Sequence, residues 1–206
     1  MNYKKLSCVS FPTKRNIKIN MMPYVIGKKD TIPPEYSHYN EIIEECEYYV
    51  TNRKNQIGYL SIWESNVDKN SSHRRGGLHT EKHPDGQWGG SWGNKMTNGG
   101  IFMASNVDNS CRIWNTSIQT PGKMGDCEHL RDEIEKKFKG ENMEKDRIYW
   151  LSDDCPHESL PLTETTYRQW FRLVLGDISI WYKNHSTPNY LGVNPKAEII
   201  YGSKFD

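Results

Sequence analysis

Residues 73–100 read HRRGGLHTEKHPDGQWGGSWGNKMTNGG. Glycine recurs too often here for a regular helix, since each one costs about 1 kcal/mol relative to alanine in a helix interior. The stretch therefore reads as loop and short strand, and its flanks are better patterned. Before it, residues 57–63 (IGYLSIW) read as a strand. After it, residues 100–105 and 111–118 alternate as strands joined by a VDNS turn. Further on, residues 147–151, 157–162, 167–175 and 178–182 are strand-like and separated by turn-rich segments.

Helical periodicity is confined to two places. Tyr39, Ile42, Ile43, Cys46, Tyr49 and Val50 recur at the spacing of one amphipathic helix face. Later, Leu130, Ile134 and Phe138 form a stripe that Asp126 is placed to cap and Gly140 to stop. Residues 1–34 are mixed, with Pro12, Pro23, Pro33 and Pro34 as breakers. The pattern is helix first, then many short strands. That excludes a doubly wound sheet and predicts a mainly β chain with flanking α-helices, folded as an antiparallel sandwich or barrel of jelly-roll type. The expected organisation is one domain over 1–206, with an N-terminal helical extension (1–56), a jelly-roll core (57–182) and a tail (183–206).

The chain has 206 residues, enough for a sizeable core without disulfides. Lys and Arg total 27 against 26 Asp and Glu, so no general attraction to nucleic acid or anionic membranes is expected. No apolar run is long enough to span a bilayer. The N-terminus, MNYKKLSCVSF, lacks the apolar region of a signal peptide. Five cysteines are scattered without a CxxC. They read as reduced thiols, and the expected location is cytoplasmic.

The chemistry concentrates at His79-Thr80-Glu81. In extended backbone, residues i and i+2 share a face, so this imidazole and carboxylate can meet one cation. His157 lies 76 residues beyond Glu81 and opens a predicted strand. Two histidines and one carboxylate on one face leave metal positions open, which suits non-haem Fe(II) that must also bind a cosubstrate and dioxygen. Arg168 follows eleven residues after His157, near the start of the expected hairpin partner. A buried guanidinium there would grip a carboxylate through two hydrogen bonds. Arg172 shares its strand face.

His-x-Glu, a distant His and an Arg about ten residues further on resemble the Fe(II)/2-oxoglutarate-dependent oxygenases. The resemblance covers residues 57–181. It implies a double-stranded β-helix, a jelly-roll relative of the cupins. It also implies iron held by His79, Glu81 and His157, with 2-oxoglutarate anchored by Arg168. The expected outcome is hydroxylation of an unidentified small-molecule or peptide substrate. This chain departs from the commoner pattern in having Glu rather than Asp at the second ligand. Trp170 stands two residues after Arg168, where a small hydroxyl residue is frequent, and Arg172 is a rival anchor.

Other readings compete. His83 lies four residues after His79, but the glycines oppose the helix that a zinc-protease site needs. Asp85 and Asp154 are alternative carboxylate ligands. Cys155, two residues before His157, reads as structural. Residues 86–93 (GQWGGSWG) are expected to form a substrate lid carrying Trp88 and Trp92, with core packing of those side chains as the alternative. Arg74 and Arg75 would suit an anionic substrate or simply face solvent. Two further functional classes remain: a cupin-like metal enzyme without 2-oxoglutarate, and a metal-free β-sandwich module using Trp88, Trp92 and Trp114 to bind a sugar or peptide.

Overall fold

The structure is a computed structural model and describes residues 1–82 and 92–202. It is mainly β with few helices. A six-stranded antiparallel sheet contains β1 (Tyr3–Cys8), β2 (Lys18–Val25), β3 (Ile57–Val67), β4 (Ile101–Ser105), β7 (Arg147–Leu151) and β9 (Thr166–Val174). Their order across the sheet is β1-β7-β4-β9-β3-β2. A smaller antiparallel sheet has the order β6-β5-β8, from β5 (Cys111–Ile113), β6 (Glu141–Asn142) and β8 (His157–Ser159). Isolated bridges extend that sheet from His157 to His79, and from His79 to Asp126. In the tail, β11 (Glu198–Ile200) pairs in parallel with β10 (Ile180–Tyr182).

Two sequence expectations change here. The Pro-bearing N-terminus is more than a helical extension, because β1 and β2 form the two edges of the main sheet. Pro23 is tolerated within β2 because an edge strand need not donate on its outer side. In addition, β8 and β9 are not hairpin partners. They lie in different sheets, so the imidazole of His157 and the guanidinium of Arg168 approach the same space from two layers.

The main sheet buries both faces, and side-chain alternation sorts them. In the β3–β9 register Ser61 opposes Arg172, Trp63 opposes Trp170 and Ser65 opposes Arg168. These residues share one face. The intervening Glu64, Gln169 and Phe171 point to the other, under α1 (Asn40–Tyr48) and the 3-10 turn before it. There Tyr39 stacks on Phe171 with centroids 6.0 Å apart, and Tyr49 stacks on Phe102 at 6.5 Å. The buried Glu64 carboxylate accepts hydrogen bonds from Tyr39, Gln169 and the backbone N–H groups of Arg15 and Ile17. Burial alone would raise its pKa, but these donors outweigh burial and lower it. Glu64 therefore ties the N-terminal segment to the sheet. The second helix, α2 (Arg131–Lys137), starts after a 3-10 turn, not at Asp126, whose backbone is engaged with the His79 segment. No helix among the described residues is long and apolar enough to cross a membrane.

Candidate metal centre

Backbone pairing brings the two histidines together. His79 N–H donates to the His157 carbonyl at 3.0 Å, and His157 N–H donates to the His79 carbonyl at 2.9 Å. Residues that exchange both bonds sit directly opposite on adjacent strands, so their side chains leave the same face. The imidazole centroids are 4.5 Å apart. Glu81, two residues on, returns to that face. On the other side of the segment, Thr80 N–H donates to the Gly125 carbonyl at 2.8 Å. Gly125 has φ +74°, and a Cβ there would lie 2.2 Å from the Thr80 carbonyl oxygen. Only glycine lets this turn lie so close against the ligand-bearing strand.

One ligand atom from each of His79, Glu81 and His157 lies within 4.8 Å of the others. Glu81 and His157 are buried and His79 is partly so. A Glu81 carboxylate oxygen is 3.8 Å from His157 Nε2. His79 Nδ1 is 2.7 Å from the Gly77 carbonyl, and His157 Nδ1 is 3.0 Å from the Cys155 carbonyl. A carbonyl can only accept, so each Nδ1 carries the proton and each Nε2 presents a lone pair. Carbonyl partners of this kind fix the tautomer and orientation of metal-binding imidazoles. Burial lowers the pKa of both rings, and the neighbouring imidazole lowers that of His79 further. Both are thereby held in the neutral form that binds metal. The donor set, two imidazoles and one carboxylate on one side, fits a divalent transition-metal ion such as iron or zinc.

These groups line one cavity of about 70 Å³, which has room for roughly five water molecules. Arg168 and Arg172 line it too. Arg168 is 1% exposed and donates to the hydroxyls of Ser105 (3.1 Å) and Ser159 (3.5 Å). Among the described residues it has no carboxylate partner, and burial lowers its pKa to about 10. Arg172 instead faces Glu81 at 3.2 Å, and its other terminal nitrogen lies 3.2 Å from Met21 Sδ. Sequence reading missed the serines. Ser159 follows His157 at i+2 and Ser105 opposes Trp170, but the cross-sheet approach that joins them to Arg168 has no local signal.

The other expected site residues go elsewhere. Trp92 is 3% exposed, packs in the core and donates to the Leu151 carbonyl, so it is a core side chain and not part of a lid. Trp88, His83 and Asp85 lie outside the described residues. Asp154 accepts from Ser117 and Ser152, away from the cavity lining. Cys155 is buried, and burial raises its thiol pKa, as a structural cysteine requires. Trp114 is 1% exposed, so Trp92 and Trp114 form no open platform for a sugar or peptide.

Acidification is expected to destabilise the metal-free protein through its buried histidines. Burial, with Arg168 and Arg74 nearby, lowers the pKa of His73 to about 4. In the unfolded chain His73 takes a proton below about 6.5. Between these values the unfolded state binds more protons, so stability falls as pH falls, and the loss levels off near pH 4. Urea midpoints at pH 7.0 and 5.5 check this. His79 and His157, whose pKa values burial also lowers, add to the same slope, so His73→Gln should make it shallower without removing it, and an unchanged slope would remove His73 as a contributor.

No family model matches this chain, and neither a curated protein nor a solved structure does.

Proposed function

We propose that this chain is an Fe(II)- and 2-oxoglutarate-dependent oxygenase built on a jelly roll. One observation carries the reading. A His-Glu-His cluster and a buried guanidinium without a carboxylate partner among the described residues line the same cavity. The strand order supports the fold. Successive strands fall into two interleaved sets, β3-β9-β4-β7 in one sheet and the His79 segment-β8-β5-β6 in the other. Such interleaving is what a double-sheet jelly roll would require.

In this reading His79, Glu81 and His157 would hold the metal, and the Gly77 and Cys155 carbonyls would keep the imidazoles aimed. Arg168 would receive the distal carboxylate of the cosubstrate. Ser105 and Ser159 pre-orient its fork, so little rotamer freedom is lost on binding. A bound metal ion, with 2-oxoglutarate and dioxygen as co-reactants, would supply the oxidation: 2-oxoglutarate would leave as succinate and carbon dioxide with one oxygen atom, and the other would enter a substrate C–H bond. The chain's own part is to bind, orient and exclude water.

The test is a titration of 2-oxoglutarate into the metal-loaded protein. Saturable one-to-one binding is expected. Arg168→Lys keeps the charge but loses the planar fork, and should weaken binding by roughly 1–3 kcal/mol. Absence of binding to the wild-type protein would remove the oxygenase reading and leave a cupin-like metal enzyme without this cosubstrate.

A further inference from the structure

The cavity holds more positive charge than the proposed cosubstrate neutralises. Among the described residues, four arginines line it, Arg74, Arg75, Arg168 and Arg172, against one carboxylate, that of Glu81. A divalent metal and a dicarboxylate cancel each other. Arg75 has its own partners, the Met124 carbonyl at 2.8 Å and the Asp126 carboxylate at 3.9 Å. That leaves three guanidinium groups and one carboxylate among the described lining residues.

Arg74 is the informative one. Its guanidinium carbon lies 4.1 Å from the ring centroid of Trp63 and 4.3 Å from that of Trp170. These rings come from cross-strand partners on β3 and β9. Two indole rings at cation–π distance hold the guanidinium in place, and its N–H groups, which lie in its own plane, remain the hydrogen-bonding part. Among the described residues that edge of N–H groups donates to no acceptor. The neighbouring Arg172 has a buried Nε with no hydrogen-bond partner. A buried donor such as Arg172 Nε is costly to leave without an acceptor, and the half-buried Arg74 edge beside it is open to a ligand. Burial and the like charges of Arg172 and Arg168 lower the Arg74 pKa to about 9, which leaves it cationic at neutral pH.

We infer that Arg74, clamped between Trp63 and Trp170 and assisted by Arg172, receives the anionic group of the oxidised substrate, a small organic carboxylate or phosphate ester. Planar, bidentate oxyanions match the guanidinium edge. The anion-bearing part of the substrate is what must enter the cavity. Calling this anion the substrate rests on the oxygenase reading, whereas the anion site itself does not.

The experiment uses the full chain loaded with Mn(II), in low-salt buffer without chloride. Calorimetric titration of 2-oxoglutarate comes first, and its failure would count against the oxygenase reading alone. Inorganic phosphate and glycolate are then titrated with 2-oxoglutarate saturating, with glycolamide as the neutral match. One anion should bind per chain and glycolamide should not. Arg74→Gln should weaken binding by roughly tenfold or more, the scale of a lost charged hydrogen bond. Arg74→Lys should retain part of the affinity, and Arg75→Gln all of it. Tighter phosphate binding would identify a phosphate ester, and tighter glycolate binding a carboxylate. Three results would overturn the inference: equal binding of glycolamide, displacement of both anions by 2-oxoglutarate, or full anion affinity in Arg74→Gln. Should Arg74→Gln lose native metal binding, Arg74→Lys and Trp63→Leu carry the test, since both disturb the clamp and should each weaken the anion.

Discussion

His157→Ala is expected to abolish tight metal binding. The site offers three ligands, and losing a partner outside the ligand set already costs roughly 10- to 100-fold in metal affinity. Losing a ligand should therefore exceed roughly 100-fold on that scale. The substitution leaves the paired backbone bonds with His79 intact, because they use main-chain atoms. The fold should survive, although the Cys155 carbonyl loses its imidazole donor. Titration with Co(II), followed by its visible spectrum, measures the loss directly. Asp154→Asn is the control. That carboxylate accepts from Ser117 and Ser152 outside the cavity lining, and its replacement should leave metal affinity alone. Wild-type metal affinity in His157→Ala would sink the proposed centre, and loss of affinity in Asp154→Asn would move the carboxylate ligand.

Glu81→Gln is expected to destabilise the metal-free protein strongly, apart from any effect on metal. Both Glu81 and Arg172 are buried, and they are 3.2 Å apart. Removing one partner of a buried ion pair leaves the other charge uncompensated, at a cost of roughly 3–5 kcal/mol. Here the remaining charge would also sit beside Arg74 and Arg168 in the same cavity. For a chain of this length such a loss lowers Tm by on the order of 10 °C. Because the deficit is electrostatic, phosphate should recover part of it by binding the folded state. The double variant Glu81→Gln with Arg172→Met should be more stable than Glu81→Gln alone, since both charges are then gone. Thermal melts of the wild type, the Glu81→Gln variant and the double variant at low ionic strength decide the matter. A Glu81→Gln protein as stable as wild type would show that Arg172 does not depend on this carboxylate.

Much of the architecture was local and therefore legible. The spacing of Ile42, Ile43 and Cys46 marked α1, and those residues are buried in it. RIYWL marked β7 with its observed bounds. Period-2 alternation placed His79 with Glu81, and Arg168 with Arg172, on common faces. These are properties of a few successive residues, and backbone geometry alone imposes them. Prolines in the N-terminus misdirected the reading. A breaker signal carries no information about sheet edges, where proline is tolerated, so β2 went unseen.

What only the tertiary structure decided is which local faces meet. The bridge between His79 and His157 closes a long stretch of chain, and nothing in either segment encodes the other's register. His157 and Arg168 looked like neighbours on a hairpin, yet they reach the cavity from opposite sheets. Trp92 was one of two lid candidates until packing placed it in the core, because a tryptophan beside glycines serves either role equally well. Arg74 and Arg75 are adjacent and chemically identical. Pairing of Trp63 with Trp170 across two distant strands builds the clamp around Arg74, while Asp126 engages Arg75. The sequence by itself thus determined α1, several of the core strands and the inventory of ligand types. Long-range strand pairing decided which of them share a cavity, because register depends on the packing of whole sheet faces and not on any short run of residues.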